Sequence, residues 1–265
     1  METRARERFR MGIVDGIYFI GNSFLDWVYP PRCMVCTNIL PLYQKTRWLC
    51  EGCSELLIPI SPPICITCGA PVEEDEASCA PCRKRKRVFS NTAVFVYDDV
   101  IRDVIHRFKY NGCPRYARGL AKIAVDSLGT GYFDGVEALV PVPMYIKKRR
   151  RRGYNQAEEL ASAFSDLTNV PTLHGYLKRI RDTKPQAGLT PAERANNLRG
   201  AFALGKPVGL KSFLIIDDIY TTGETLDVCV DLLKQGGAEQ IRCLTLAVAV
   251  KREKQHRPED IEVFA

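Results

Sequence analysis

No stretch of this sequence stays apolar for long enough to cross a membrane. The best candidate, residues 11–28, is interrupted by Asp15, Asn22, Ser23 and Asp26, and no small-residue cleavage site makes it a secretion signal. Residues 1–30 are expected instead to form an amphipathic helix with Ile13, Ile17, Ile20, Phe24 and Val28 near one face. That face is expected to pack on the protein's own body in preference to a membrane, and Pro30 and Pro31 end the helix. Histidine is also scarce, and His106 and His174 stand isolated, so they are expected to be structural, not general bases. The missing secretion signal decides how the eleven cysteines are read. Disulfide scaffolds belong to oxidising compartments, so the expectation is a cytoplasmic protein whose thiols bind metal.

Eight cysteines form four Cys-x-x-Cys pairs: Cys33 with Cys36, Cys50 with Cys53, Cys65 with Cys68, and Cys79 with Cys82. Such a turn brings two thiolates to one ion, and two turns complete the tetrahedral shell of Zn²⁺. No βα context surrounds them, which argues against redox chemistry. Sequential pairing gives one zinc to Cys33, Cys36, Cys50 and Cys53 and a second to Cys65, Cys68, Cys79 and Cys82, with Pro59–Pro63 as a linker. Spacing alone does not exclude an interleaved pairing. Four sulfurs per ion leave no open position for catalysis, so both zincs scaffold or support binding. With little apolar sequence nearby, the metal is expected to supply much of the local folding free energy. Cys113, Cys229 and Cys243 lack ligand spacing and are expected to be buried thiols.

The net charge of +7 favours anionic partners. Arg83-Lys84-Arg85-Lys86-Arg87 follows the last knuckle and reads either as a nucleic-acid contact or as a solvated linker. The 265 residues suffice for a large domain with an appendage. From residue 88 onward the texture alternates: a strand over Thr92–Tyr97, helices over Val100–Phe108 and Tyr116–Leu128, and a strand over Val136–Val142. Lys147-Lys148-Arg149-Arg150-Arg151-Arg152 then precedes Gly153-Tyr154-Asn155-Gln156 and a helix to about Leu167. A strand end, a loop, cations and a helix make an anion site at a sheet edge. Arg151 and Arg152 are the candidates to face inward; a solvated face or a nucleic-acid patch suits the others. Residues 181–200 are polar and breaker-rich, as a functional or disordered loop is. A helix over Leu226–Gln235, a strand over Ile241–Val250 and a basic surface tail, Lys251–Arg257, close the chain.

One stretch organises the rest. Phe213-Leu214-Ile215-Ile216 suits a strand buried on both faces, and it runs into Asp217 and Asp218, then Thr221-Thr222-Gly223-Glu224-Thr225. A helix beginning there offers unpaired N–H groups and a positive dipole end to a phosphate. The two carboxylates would repel that phosphate, so they are placed on sugar hydroxyls beside it. Adjacent carboxylates at a buried strand end carry a desolvation cost that a structural role does not explain.

This stretch resembles the PRPP-binding signature of type I phosphoribosyltransferases. Pro31-Arg32-Cys33, the four knuckles, Phe108-Lys109-Tyr110, Val140-Pro141-Val142-Pro143, Arg152-Gly153-Tyr154-Asn155-Gln156, and Gln186 with Arg194 and Asn197 extend the likeness: the chain resembles the ComF family. The resemblance implies an α/β type I phosphoribosyltransferase fold, mostly parallel sheet flanked by helices, with an N-terminal double zinc ribbon. The boundaries implied are 1–30 for the helix, 31–87 for the ribbons and 88–265 for the phosphoribosyltransferase-like domain. It further implies two structural Zn²⁺, Mg²⁺ accompanying PRPP, and a role in DNA uptake or nucleotide metabolism, with single-stranded DNA and DNA-uptake proteins as partners. Thr221, Thr222, Gly223, Glu224 and Thr225 would form the phosphate loop, Asp217 and Asp218 would hold the ribose, and Arg152 the pyrophosphate. Lys109, Gln186 and Arg194 would close over the site, and residues 181–200 would be its lid, excluding water from a cation-like sugar. The acceptor, and with it catalysis, stays open. The alternative is a non-catalytic single-stranded-DNA-binding or assembly protein using the fold as scaffold or PRPP sensor. A glutamine-dependent amidophosphoribosyltransferase is disfavoured, because the first cysteine, Cys33, is already a zinc position.

Overall fold

The computed structural model describes residues 30–41, 48–85, 87, 89–182, 198, 200–206 and 208–250. The expected N-terminal helix, the basic tail, most of the 181–200 loop, and with it Gln186 and Arg194, lie outside them. Packing divides the chain into two compact units, Met1–Ile58 and Pro59–Ala265.

In the first unit, a turn at Cys33–Cys36 is closed by the Arg32–Ile39 bridge, and helix α1 (Glu51–Ser54) carries the second knuckle. Cys33, Leu40 and Cys53 are its small core, with Val35 and Leu49 against them.

The second unit opens with the same device. The Ile64–Pro71 bridge closes the Cys65–Cys68 knuckle, and helix α2 (Ala80–Arg83) carries Cys79 and Cys82 at its start and middle. Among the described residues the main sheet has four strands, β1 (Ser90–Val96), β2 (Ala138–Pro141), β5 (Ser212–Tyr220) and β6 (Gln240–Val248). Their order is β1-β6-β5-β2, and all three pairings are parallel. β3 (Leu177–Arg179) and β4 (Phe202–Leu204) form a separate antiparallel pair, which periodicity over such short strands did not announce. The helices are α3 (Asp99–Tyr110), α4 (Tyr116–Leu128), α5 (Ile146–Arg152), α6 (Gln156–Thr168) and α7 (Glu224–Gln235). None among the described residues is long and apolar enough to cross a membrane.

The elements form for local reasons. Leu214, Ile215 and Ile216 are fully buried, as a central parallel strand with both faces covered requires. α3 is capped by Asp98, which accepts from the Ile101 N–H at 2.8 Å, and it buries Ile101, Val104, Ile105 and Phe108 at helical spacing. α6 is capped by Asn155, whose amide also donates to the Val142 carbonyl at 3.0 Å and ties the helix start to the end of β2.

The second ribbon shares the core of the sheet. Cys65, Cys68 and Cys82 lie in one buried cluster with Ala93, Ile215, Tyr220 and Leu226. Gly69 shows how close the approach is: at φ +75° it faces β1, and a Cβ there would sit 2.5 Å from the Ala93 nitrogen. Only glycine serves where both the angle and the space demand it. The buried Asn91 side chain joins the layers, donating to the Cys68 carbonyl at 2.9 Å and to Thr245 Oγ1 at 3.0 Å. The expected linker is pinned here as well, because the Ile60 N–H donates to the Val94 carbonyl at 2.7 Å.

Candidate functional site

Two sets of sulfurs converge. Cys33, Cys36, Cys50 and Cys53 form one group and Cys65, Cys68, Cys79 and Cys82 the other, each with its sulfurs within 4.8 Å of one another. The sequential pairing is therefore the one the chain builds. All eight are free thiols, and Cys36–Cys50 and Cys68–Cys79 approach to 3.8 and 3.7 Å. A tetrahedron with Zn–S bonds of about 2.3 Å has edges of about 3.8 Å, so both sites fit zinc. Burial works against a thiolate at Cys33 and Cys65. N–H groups of Cys50, Cys36 and Val35 nevertheless hold Cys33 at about 7, and those of Cys79, Cys68 and Thr67 hold Cys65 at about 6. Burial pushes the partner Cys82 up to about 12 and Cys53 and Cys68 well above the thiol range; a bound ion would supply the positive charge that keeps all four sulfurs as thiolates. Outside the knuckles, Cys229 and Cys243 are buried as expected, whereas Cys113 is only half-buried; it sits in the polar turn after α3, where too little chain covers it.

Strand β5 does not stop at the carboxylates. It continues through them to Tyr220, with Asp217 opposite Thr245 of β6. Successive side chains on a strand point to opposite faces, so the two acids differ. Asp218 pairs with Lys109 of α3 at 2.8 Å, with both side chains largely covered. Burial lowers the Lys109 ammonium's affinity for its proton, but Asp218 and then Asp217 more than reverse this and leave its pKa raised. Asp217 is pushed up to about 7, chiefly by burial and then by the charge of Asp218, against the Asp218 N–H, Lys109 and Arg179. The folded chain thus holds that proton more tightly than the unfolded one. Its stabilisation is complete below the ordinary carboxyl value of 3.8 and is lost as pH rises toward 7. Asp217→Asn is therefore expected to raise the unfolding midpoint by an amount that grows across this window; a gain independent of pH contradicts the assignment.

Beyond Tyr220 the loop enters α7 through Gly223, at φ +79°. In contrast to α3 and α6, α7 has no side-chain cap. Thr221 is exposed and Thr222 half-buried, and the Thr222 hydroxyl and one Glu224 carboxylate oxygen are buried without a hydrogen-bond partner. A donor hydroxyl and uncapped helix N–H groups side by side suit an anion.

The basic run after β2 forms the short helix α5, since Lys and Arg are good helix formers, and is not the loop with cations expected from the sequence. None of its residues is buried. Arg152 alone of the two inward candidates turns in: it donates to Gln156 and lies 4.8 Å over the Tyr110 ring, while Arg151 is exposed. The Tyr154 hydroxyl donates to the Phe108 carbonyl. Phe108-Lys109-Tyr110 and Arg152–Gln156 are thereby joined, and Lys109 brings them to Asp218.

Sequence reasoning missed two arginines. Arg85 donates to the Thr222 carbonyl at 2.7 Å. Arg87, its side chain only 7% exposed, grips Asp227 with Nε at 3.0 Å and Nη2 at 2.9 Å and also reaches the Thr222 carbonyl and the Tyr220 hydroxyl. The alternation of cations in Arg83–Arg87 was visible, but nothing local says which of them turns inward.

A double zinc ribbon model matches residues 24–84 and a phosphoribosyl transferase domain model residues 114–265. Competence protein F of Haemophilus influenzae is 31% identical over 226 residues, covering 82% of this chain and 97% of that protein. The chain belongs to the ComF family. Other ComF relatives include Competence protein ComFC of Bacillus subtilis, 27% identical over 81% of this chain and 93% of its own length. DNA utilization protein YhgH of Escherichia coli K12 is 27% identical over 81% of this chain and 96% of its own. The two cysteine sets are thus the two ribbons of a ComF chain, and the parallel sheet with flanking helices is its phosphoribosyltransferase fold.

Proposed function

We propose that this ComF protein binds PRPP, or a closely related sugar phosphate, with Mg²⁺ at the C-terminal end of β5, and that it works in DNA uptake. The observation that carries the sugar-phosphate reading is the buried, unpartnered Thr222 hydroxyl beside the uncapped start of α7, one turn of chain beyond two carboxylates. Thr221, Thr222, Gly223, Glu224 and Thr225 surround the 5′-phosphate, which takes its hydrogen bonds from N–H groups and hydroxyls. Asp217 and Asp218 accept from the ribose hydroxyls. Lys109 and Arg152 supply positive charge toward the diphosphate. Few hard oxygen ligands stand free at this place, since Asp218 is paired with Lys109. That suits an ion held mainly by ligand and water, whose chemistry is to neutralise the diphosphate. By family resemblance, Gln186 and Arg194 join Lys109 over the bound sugar. The relatives named for competence and DNA utilization support the cellular role, and a cytoplasmic location fits both.

The exposed cations of α5 favour a second reading. Lys147, Arg149, Arg150 and Arg151 are solvent-facing and form a strip that matches a phosphate backbone. On that reading the fold is a scaffold or sensor for single-stranded DNA and uptake proteins, and no bond is made.

One screen of the full-length protein separates the readings. PRPP with Mg²⁺ at about a hundredfold excess over Kd is expected to raise the melting midpoint by about 5 °C or more. An oligonucleotide arm should bind with an affinity that falls steeply with salt. A PRPP arm without effect removes the first reading. Release of pyrophosphate with any acceptor removes the scaffold-only reading.

A further inference from the structure

The cations that follow the second zinc ribbon reach the ligand loop, and no part of the proposed function uses them. Arg85 and Arg87 emerge from the turn that leaves Cys82: the Arg85 N–H donates to the Cys82 carbonyl at 3.0 Å and the Arg87 N–H to the Arg85 carbonyl at 2.9 Å. The chain position of both guanidiniums is thus set by the last zinc ligand. Both then donate to one acceptor 135 and more residues away, the Thr222 carbonyl. Arg87 spans the loop. On one side it holds the Tyr220 hydroxyl at 2.5 Å, on the other the Asp227 carboxylate in the first turn of α7. Its guanidinium stands 5.8 Å from the centre of the Tyr220 ring and 5.9 Å from that of Phe89. Arg85 adds an ion pair at 3.8 Å to Glu224.

Such an arrangement does two things to the loop. It turns the Thr222 carbonyl toward the arginines, and a backbone carbonyl facing the phosphate position would repel it. It also closes the space over Gly223, where a Cβ would meet the Arg87 guanidinium and the Tyr220 hydroxyl at 2.7 Å. With φ already in the left-handed region, only glycine is compatible with this loop shape. A planar fork with several N–H donors can hold a carbonyl, a phenol and a carboxylate together; an ammonium on a flexible stem cannot reproduce that spread.

We infer that Arg87, assisted by Arg85, is a positioning residue by which the second zinc ribbon holds the Tyr220–Glu224 loop in its ligand-ready shape. Arg87 acts through the loop backbone and touches no ligand. The ribbon is then part of the sugar-phosphate site, and whatever alters that knuckle alters the site. The ligand named here rests on the proposed function; the loop restraint itself does not.

The experiment uses the full-length, zinc-replete protein and the variants Arg87→Ala, Arg87→Lys and Arg85→Ala, with zinc content measured for each. Hydrogen exchange without ligand reads the loop, and calorimetry with PRPP and Mg²⁺ reads the site. In Arg87→Ala, the Asp227 amide, which donates to the Gly223 carbonyl at 2.9 Å and reports the loop closure, is expected to exchange about tenfold faster or more, which corresponds to about 1.4 kcal/mol. The amides of β5 and β6 keep their protection and zinc content is unchanged. PRPP affinity falls by at least a similar factor, Arg87→Lys restores only part of it, and Arg85→Ala has the smaller effect. Unchanged loop exchange in Arg87→Ala overturns the inference, and so does full rescue by lysine. If the wild-type chain does not bind PRPP, the proposed ligand is wrong, and the exchange comparison still decides the role of Arg87. If Arg87→Ala loses zinc or core protection, Arg87→Lys, which keeps the charge, supplies the same loop comparison.

Discussion

Serine at Cys65 and Cys68 is expected to damage far more of this protein than serine at Cys33 and Cys36. The two sites have the same ligands and nearly the same sulfur spacing, so chemistry alone predicts equal effects. Their surroundings differ. Cys33 and Cys53 sit in a small core of their own with Leu40, whereas Cys65, Cys68 and Cys82 are walls of the core that also contains Ile215, Tyr220 and Leu226. Structural zinc is worth about 10–16 kcal/mol in small metal-folded peptides, comparable to the about 5–15 kcal/mol that stabilises a whole domain. Loss of the second ion frees the Cys68 carbonyl that Asn91 holds and the Gly69 backbone packed on β1. Each double variant is expected to lose one zinc equivalent. Only Cys65→Ser with Cys68→Ser should also lower the main calorimetric transition substantially and abolish ligand-induced stabilisation. Equal effects of the two pairs would sink the distinction.

The second large effect concerns the acidic pair. Asp217→Asn together with Asp218→Asn is expected to lower PRPP affinity by about 10²–10⁴, because each charge-assisted hydrogen bond contributes about 1.5–3 kcal/mol. The double variant is the decisive one. Replacing Asp218, alone or in the double variant, releases Lys109 from its 2.8 Å ion pair, and only the double variant removes both sugar acceptors while that ammonium is free. Asp217→Asn removes a carboxyl whose ionisation is opposed by burial, so this variant should be more stable while binding more weakly. A change with opposite signs in stability and affinity separates a functional carboxylate from a structural one. Unchanged calorimetric binding in the double variant would remove the sugar assignment.

Much of this was legible in local pattern. The knuckles are spaced for tetrahedral thiolate sites, and α4 occupies the very residues, Tyr116–Leu128, at which periodicity placed it. The buried run Phe213–Ile216 had to be a covered parallel strand, and the carboxylates and threonines after it mark the loop on which the proposed ligand site rests. Other features had no local signature. A run of six cations reads as a solvated patch, and only packing separated Arg152, stacked on Tyr110, from exposed Arg151. The inequality of Asp217 and Asp218 depends on which face each meets. It follows from the pleat together with the position of α3, which brings Lys109 across from a segment 109 residues away.

The sequence by itself determined the two metal sites, the parallel α/β class and the acid-and-threonine loop that carries the proposed sugar-phosphate site, because each rests on short-range spacing: two residues between thiols, one face of a helix, a turn after a strand. Only the tertiary structure decided that the second ribbon shares its core with the sheet and that Arg85 and Arg87 close on Thr222. Those contacts join residues more than a hundred positions apart. Which of five successive cations turns inward is set by the carbonyl, phenol and carboxylate waiting there, not by anything in the run itself.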